Sequence, residues 1–208
     1  MNYRFAYSIG FHPWEDAVTD PPFVEKATDL FAREERERGQ PFGRALDIGT
    51  GSGIWGVELA KRGWEVVGVD LVEKALTRAR DRVKAAGVDM KLIQGDVTDL
   101  GKSDVGSDFK LVLDTGTFHD FEEAERIGMA RGINEVAADD ATVLLLAWPR
   151  RLRPLIRGVT RDEIESAFVG WQITDVEPSH FRLPKPLELL LRPDEHWYRL
   201  RRTTSMSG

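Results

Sequence analysis

Three glycines alternate with polar residues in Leu46-Asp47-Ile48-Gly49-Thr50-Gly51-Ser52-Gly53, and few features constrain a fold as tightly. Arg44 to Gly49 reads as a short buried strand, and Ile54 to Arg62, stopped by Gly63, as a helix. Glycines between the two let the backbone turn sharply and let a ligand rest against the main chain. In an open α/β sheet such a ligand lies beyond the carboxyl ends of the strands, at a switch point in strand order.

The alternation continues along the chain. Trp64–Asp70, Met90–Gln94, Phe109–Asp114 and the strongly apolar Ala141–Trp148 read as strands, with helices over Val72–Ala86 and Glu122–Ala137. Apolar strands alternating with helices of about 10–15 residues imply βαβ units and a parallel sheet covered on both faces. Ahead of them Asp20-Pro21-Pro22-Phe23 opens a first helix, with Asp20 as N-cap and proline in the first turn. After residue 148, Thr160-Arg161-Asp162-Glu163 has the form of a capping box, and Trp171–Val176 and Trp197–Leu200 read as closing strands. A single domain over 1–208 is expected, with 1–40 forming an N-terminal lid and helix.

The chain has no cysteine, which excludes disulfides, thiolate metal sites and a cysteine nucleophile; no metal is expected. No run of about 18 apolar residues is present to span a membrane. Met1-Asn2-Tyr3-Arg4-Phe5 does not open a signal peptide, so a cytoplasmic location and no membrane partner are expected. Net charge is −6, but residues 148–208 carry 11 Lys/Arg against 8 Asp/Glu, leaving the first 147 residues at −9. Nucleic-acid binders carry a dense basic stripe, so no nucleic-acid partner is expected. Arg150-Arg151-Leu152-Arg153 reads either as a site for an anionic substrate or as a solvated loop.

Two ligands compete for the glycine loop. Gly51-x-Gly53-x-x-Gly56 satisfies the dinucleotide fingerprint, with Asp70 placed to accept hydrogen bonds from ribose hydroxyls, and predicts an NAD(P)-dependent oxidoreductase. The Asp47 carboxylate opposes that reading. An anion beside the loop repels a diphosphate, and attracts the ammonium and sulfonium of adenosylmethionine. Gly95-Asp96-Val97 follows the third strand, where an Asp side chain can bond the exocyclic amine of adenine, and Asp114 ends the fourth.

These four features, in this order, resemble the class I S-adenosylmethionine-dependent methyltransferases. The resemblance implies an α/β, Rossmann-like three-layer sandwich around a seven-stranded, mostly parallel sheet whose last strand is antiparallel. It implies S-adenosyl-L-methionine as cofactor, with Asp47 and Gly49 near its methionine part and Thr50, Gly51 and Gly53 completing the loop. Asp70 would hold the ribose, Leu71 would pack on adenine, and Asp96 with Val97 would fix its edge; Asp114 would close the site from strand four. Around Thr117-Phe118-His119 the chain is loosely similar to the branch that contains thiopurine-, tellurite- and quinone-related enzymes, which implies a small-molecule acceptor. A protein that keeps the cofactor fold without turnover is a third reading.

Methyl transfer from a sulfonium is an in-line displacement with an activated leaving group. The protein must hold the nucleophile roughly 3–3.5 Å from the methyl carbon and exclude water. The switch point between strands one and four directs attention to Asp114–Asp120. There His119 is the candidate base, or else packs beside the following helix. Asp120 either orients that imidazole or is the N-cap for Phe121-Glu122-Glu123. Tyr3, Tyr7, Phe11, His12 and Trp14 form an aromatic cluster: a lid shielding the sulfonium, which makes Trp14 a cofactor contact, or a strip fastening the first helix. His12, Thr117, Trp148 and Arg150 are the candidate acceptor pocket. Asp20-Pro21-Pro22-Phe23 looks like the D-P-P-[YF] signature of DNA adenine methyltransferases, but it precedes a helix and is read as a helix start.

Overall fold

Period-two alternation along the strands gives the sheet two apolar faces, and each face collects its own core. The computed structural model describes residues 20–150, 157–182 and 194–203. The elements are α1 (Pro21–Arg38), β1 (Arg44–Ile48), α2 (Ile54–Arg62), β2 (Glu65–Asp70), α3 (Glu73–Ala86), β3 (Met90–Gln94) and β4 (Phe109–Asp114). They are followed by α4 (Glu123–Val136), β5 (Ala137–Ala147), α5 (Arg161–Ala167), β6 (Trp171–Pro178) and β7 (His196–Arg202). Short 3-10 segments cover Val97–Lys102 and Phe118–Asp120.

The seven strands lie in the order β3-β2-β1-β4-β5-β7-β6. β1 to β5 pair in parallel, and β7 runs antiparallel to both β5 and β6. Strand order reverses at β1, whose neighbours are β2 on one side and β4 on the other. The crevice that binds ligands in open α/β sheets belongs at that reversal.

On one face Leu46, Ile48, Val112 and Val143 pack with Met129, Ala130 and Ile133 of α4. On the other, Ala45, Leu111, Leu113 and Leu144 pack with Phe23, Ala27, Leu30 and Phe31 of α1 and Val57 and Leu59 of α2. A side chain moved by one position along a strand changes cores. Among the described residues no helix is long and apolar enough to cross a membrane.

Helix α1 is fastened to the late strands by charge as well as by apolar contact. Phe23 stacks on Trp197 at 6.3 Å, while Glu34, fully buried, accepts from Arg199 Nε at 2.6 Å and from Thr142 Oγ1 at 2.7 Å. Glu37 also meets Arg199, at 2.5 Å, and Arg33 reaches Glu177 at 2.9 Å.

Three local expectations are corrected. β5 begins at Ala137, directly after α4, because Asp139 and Asp140 sit exposed on a strand that is already paired. The cap of α4 is Glu122, not Asp120, and it forms a capping box with Glu125; Asp120 belongs to the preceding 3-10 turn. Asp20 occupies the N-cap position of α1, but its side chain makes no cap bond and accepts instead from the Arg182 N–H at 3.2 Å. The Thr160–Glu163 capping box forms as expected.

Candidate functional site

The loop between β1 and α2 is held from below by carboxylates. Asp47 points into the α2 face and is 1% exposed; Oδ2 accepts from the Thr50 hydroxyl at 2.5 Å and from the Gly56 N–H. Its Oδ1 has no partner among the described residues. Burial raises its pKa to about 7, and Asp114 and Asp70 add to the shift.

Asp70 closes β2 beside the same loop. Its Oδ2 accepts from Gly51 N–H and its Oδ1 from Val72 N–H, each at 2.8 Å. Burial raises this pKa too, opposed by those amides. The loop amides are therefore largely committed: Thr50 N–H donates to Val69 O at 3.0 Å and Gly53 N–H to Thr50 O at 2.8 Å. Three of the five amides from 49 to 53 are thus paired within the protein.

Leu71, the next residue, is 44% exposed, unusual for a leucine at a strand end. Across from it Asp96 caps the 3-10 turn: Oδ1 accepts from Thr98 N–H at 2.9 Å and from its hydroxyl at 2.7 Å, while Val97 is buried. An exposed apolar side chain beside a polar strand edge suits the flat face and polar rim of a purine.

At the end of β4 the carboxylate of Asp114 turns back on its own chain. Its oxygens accept from the N–H groups of Gly116 (3.0 Å), Thr117 (2.7 Å) and Phe118 (2.9 Å). Asp114 is fully buried, and desolvation lifts its pKa to about 6. This arrangement shapes the 115–118 loop, which lies against Gly49: a Cβ on that glycine, at φ +62°, would come within 2.1 Å of Thr117 Oγ1.

His119 follows in the 3-10 turn and is 6% exposed. A hydrogen bond to the Leu146 backbone carbonyl engages one ring nitrogen, while Nδ1, beside Gly116, has no partner among the described residues. That fixes the tautomer with the proton on Nε2. Burial lowers its pKa to about 4, so the imidazole is neutral across the physiological range. The expectation of a base titrating near neutrality changes accordingly: the group is a lone-pair acceptor of low basicity.

One family model, that of a methyltransferase domain, matches residues 45–140, the stretch that contains all of these groups except the β5–β7 edge. The match covers just under half of the chain, and the chain as a whole has the fold of the class I methyltransferases. The chain is 28% identical over 150 residues to the 2-heptyl-1-hydroxyquinolin-4(1H)-one methyltransferase of Mycobacteroides abscessus, covering 69% of this chain and 65% of that protein. It is 32% identical over 91 residues to ribosomal RNA small subunit methyltransferase C of Alcanivorax borkumensis, covering 44% of this chain and 26% of that one. Among solved structures, magnesium protoporphyrin IX methyltransferase from Synechocystis PCC 6803 superposes with a TM-score of 0.75 at 16% identity, covering 97% of this chain and 98% of the other. The chain spans between about a quarter and two thirds of the length of the curated relatives it matches.

Of the residues singled out from sequence, the fold gathers Asp47, Gly49, Thr50, Gly51, Gly53, Asp70, Leu71, Asp96, Val97, Asp114, Thr117 and His119 at the carboxyl edge of β1 to β4. Trp148 stands at the same edge after β5 and meets Phe181 edge-on at 5.8 Å. Arg150 is there too, but its guanidinium is paired with Glu163, Nε lying 3.0 Å from the carboxylate. Trp14 and His12, like Tyr3, Tyr7, Phe11, Arg151 and Arg153, lie outside the described residues. Among the described residues no group of His, Asp and Glu is arranged to hold a metal.

Two groups escape a reading of the sequence. Arg126 of α4 is buried and donates to the carbonyls of Phe118 (3.2 Å), His119 (3.1 Å) and Gly158 (2.7 Å), so it anchors the turn that carries His119. Glu195, just before β7, is also buried, and accepts from Ser179 Oγ at 3.0 Å. Nothing in their spacing distinguishes either from a solvated charge. Burial alone marks them.

Proposed function

We infer that the chain is an S-adenosylmethionine-dependent methyltransferase whose acceptor is a small molecule that presents a hydroxyl or N–H donor. The observation that carries the cofactor reading is the state of the glycine loop. A diphosphate needs open backbone N–H groups and no adjacent anion, whereas here most loop amides are paired and the loop sits on Asp47 and Asp70. An ammonium and a sulfonium fit that surrounding. The unpartnered Asp47 Oδ1 and the exposed Leu71 are the features such a cofactor would engage at its two ends.

Adenosylmethionine, when bound, supplies a methyl group already activated toward a nucleophile. The protein's own contribution is placement. Asp70 holds the loop and accepts from ribose hydroxyls, Leu71 covers one adenine face, and Asp96 with Val97 meets the adenine edge. Asp114 and Arg126 fix the 115–119 turn, which brings His119 to the acceptor side. His119 Nδ1, neutral and without a donor among the described residues, accepts a hydrogen bond from the acceptor's O–H or N–H and orients the attacking lone pair. Trp148 and Phe181 supply an apolar wall that suits an aromatic acceptor. The M. abscessus relative, whose named substrate is an N-hydroxyquinolone, supports an acceptor of this kind.

Calorimetry with S-adenosylmethionine, S-adenosylhomocysteine and NADH tests the cofactor. Binding of the sulfonium pair without NADH is expected, and tight NADH binding with no response to that pair would overturn the reading. Transfer of labelled methyl from adenosylmethionine to a panel of hydroxylated aromatics, with ribosomal RNA as a competing acceptor, tests the substrate class.

A further inference from the structure

Glu195 has no part in the chemistry above, yet it is among the most enclosed carboxyls at this edge of the sheet, at 7% exposure. β7 starts at His196, whose register partner on β5 is Ala147, so the antiparallel register carried one step on sets Glu195 opposite Trp148, two residues along β5 from Leu146, which is bonded to His119. Ser179 ties the two ends together: its N–H donates to Glu195 O at 2.9 Å and its hydroxyl to Glu195 Oε2 at 3.0 Å. The Ser179 oxygen also accepts from the N–H of Phe181, the ring that packs on Trp148. The Trp148 side chain, whose sole polar group is the indole N–H, hydrogen bonds to the Glu195 carboxyl.

We propose that Glu195 is a positioning residue for the acceptor: its buried carboxyl holds the Trp148 indole, and through Ser179 the Phe181 ring, as the apolar wall of the acceptor pocket. The inference rests on the reading of Trp148 as that wall.

The reason for a carboxyl at this point is its charge state. Burial lifts the Glu195 pKa to about 8, and the hydrogen bonds from Ser179 and Trp148 offset only part of the shift. Among the described residues no cation is paired with it. Asp194 and His196 flank it in sequence, with His196 Nδ1 3.0 Å from Asp194 O; His180 and Arg182 follow β6; Arg150 after β5 is taken by Glu163. Burial is the only influence acting to raise its proton affinity. At neutral pH the wall is therefore uncharged and dry, while above pH 8 an anion appears behind the indole and draws water to it.

Two measurements test this on the full chain. The Trp148 indole N–H resonance, identified by its loss in Trp148→Phe, should move with pH around about 8 in the wild type and stay fixed in Glu195→Gln. With 2-heptyl-1-hydroxyquinolin-4(1H)-one as acceptor, the wild-type acceptor KM should rise about tenfold between pH 7 and 9, while the KM of Glu195→Gln, whatever its value at pH 7, should show no such rise. The KM for adenosylmethionine should not follow. An indole signal that ignores pH in the wild type, or one that titrates equally in Glu195→Gln, overturns the proposal. Absence of turnover with that quinolone counts against the acceptor class instead, and the indole titration still decides the role of Glu195.

Discussion

The hydroxyl of Thr117 fills the space in which a side chain on Gly49 would stand, 2.1 Å from where its Cβ would be. The glycine loop after β1 and the loop after β4 are therefore in direct contact. Gly49→Ala meets both this clash and a left-handed backbone, the latter costing about 1–2 kcal/mol by itself. We expect it to lower the melting temperature and abolish adenosylhomocysteine binding. Adding Thr117→Ala should restore part of the stability but not all. A Gly49→Ala protein that melts and binds like wild type would mean the two loops do not touch.

Asp70 carries two backbone amides and, in the proposed complex, the ribose. Asp70→Ala should weaken adenosylhomocysteine binding by at least about tenfold, or 1.4 kcal/mol. Calorimetry reads this directly. Asp70→Asn, which keeps one acceptor oxygen, should fall between.

Asp47 gives cofactor binding a pH dependence whose sign can be worked out. With a pKa of about 7 in the free protein, Asp47 is half protonated at neutrality, and a bound cation favours its ionised form. Adenosylmethionine affinity should then rise with pH up to about 7 and level off above, with a proton released on binding below that point. Calorimetry in buffers of different ionisation enthalpy measures the proton. Asp47→Asn should remove the dependence. An affinity that does not change between pH 5.5 and 8 would count against Asp47 as the cation's partner.

His119 has its pKa lowered by burial to about 4, below the ordinary 6.5. The unfolded chain binds a proton there that the folded one refuses, so stability conferred by the neutral ring is complete above pH 6.5 and is lost as pH falls toward 4. Turnover should show no inflection near 6.5. His119→Ala, which removes the group that orients the acceptor, should slow turnover about 10²-fold with adenosylhomocysteine affinity kept. Wild-type turnover in that variant would remove His119 from the mechanism.

Glu34 sits in a buried ion pair with Arg199. Glu34→Ala leaves Arg199 with Glu37 but removes its most enclosed partner and the acceptor of the Thr142 hydroxyl, so it should destabilise the fold by about 1–3 kcal/mol in urea titration. A loss below 1 kcal/mol would show that the guanidinium finds water.

What the sequence made legible and what it hid follow from the range of the forces involved. The glycine loop, Asp70, Asp96 and Asp114 announce themselves because a strand, a turn and a helix start are local, and an acid at a strand end stands out against apolar neighbours. The succession of the first five strands along the chain follows from the same local rhythm. Arg126, Glu34 and Glu195 were invisible because each sits in a stretch whose charge pattern looks solvated; only tertiary packing buries them. Asp139 and Asp140 hid the start of β5 for the opposite reason, being exposed polar residues on a strand. His119 was legible as a residue of interest but not in its protonation, since enclosure sets that and enclosure comes from Arg126, Leu146 and the loop around it.

The position of β7 between β5 and β6 has a consequence for how the chain is made. β6 leaves the ribosome before β7, yet it has no strand to join until β7 arrives, and Glu34 waits across 165 positions for Arg199 on that same strand. Without β7 the edge of β5 is unpaired and Glu34 lacks Arg199. A chain cut short before β7 would therefore present an open strand edge, the kind of surface that pairs with other chains.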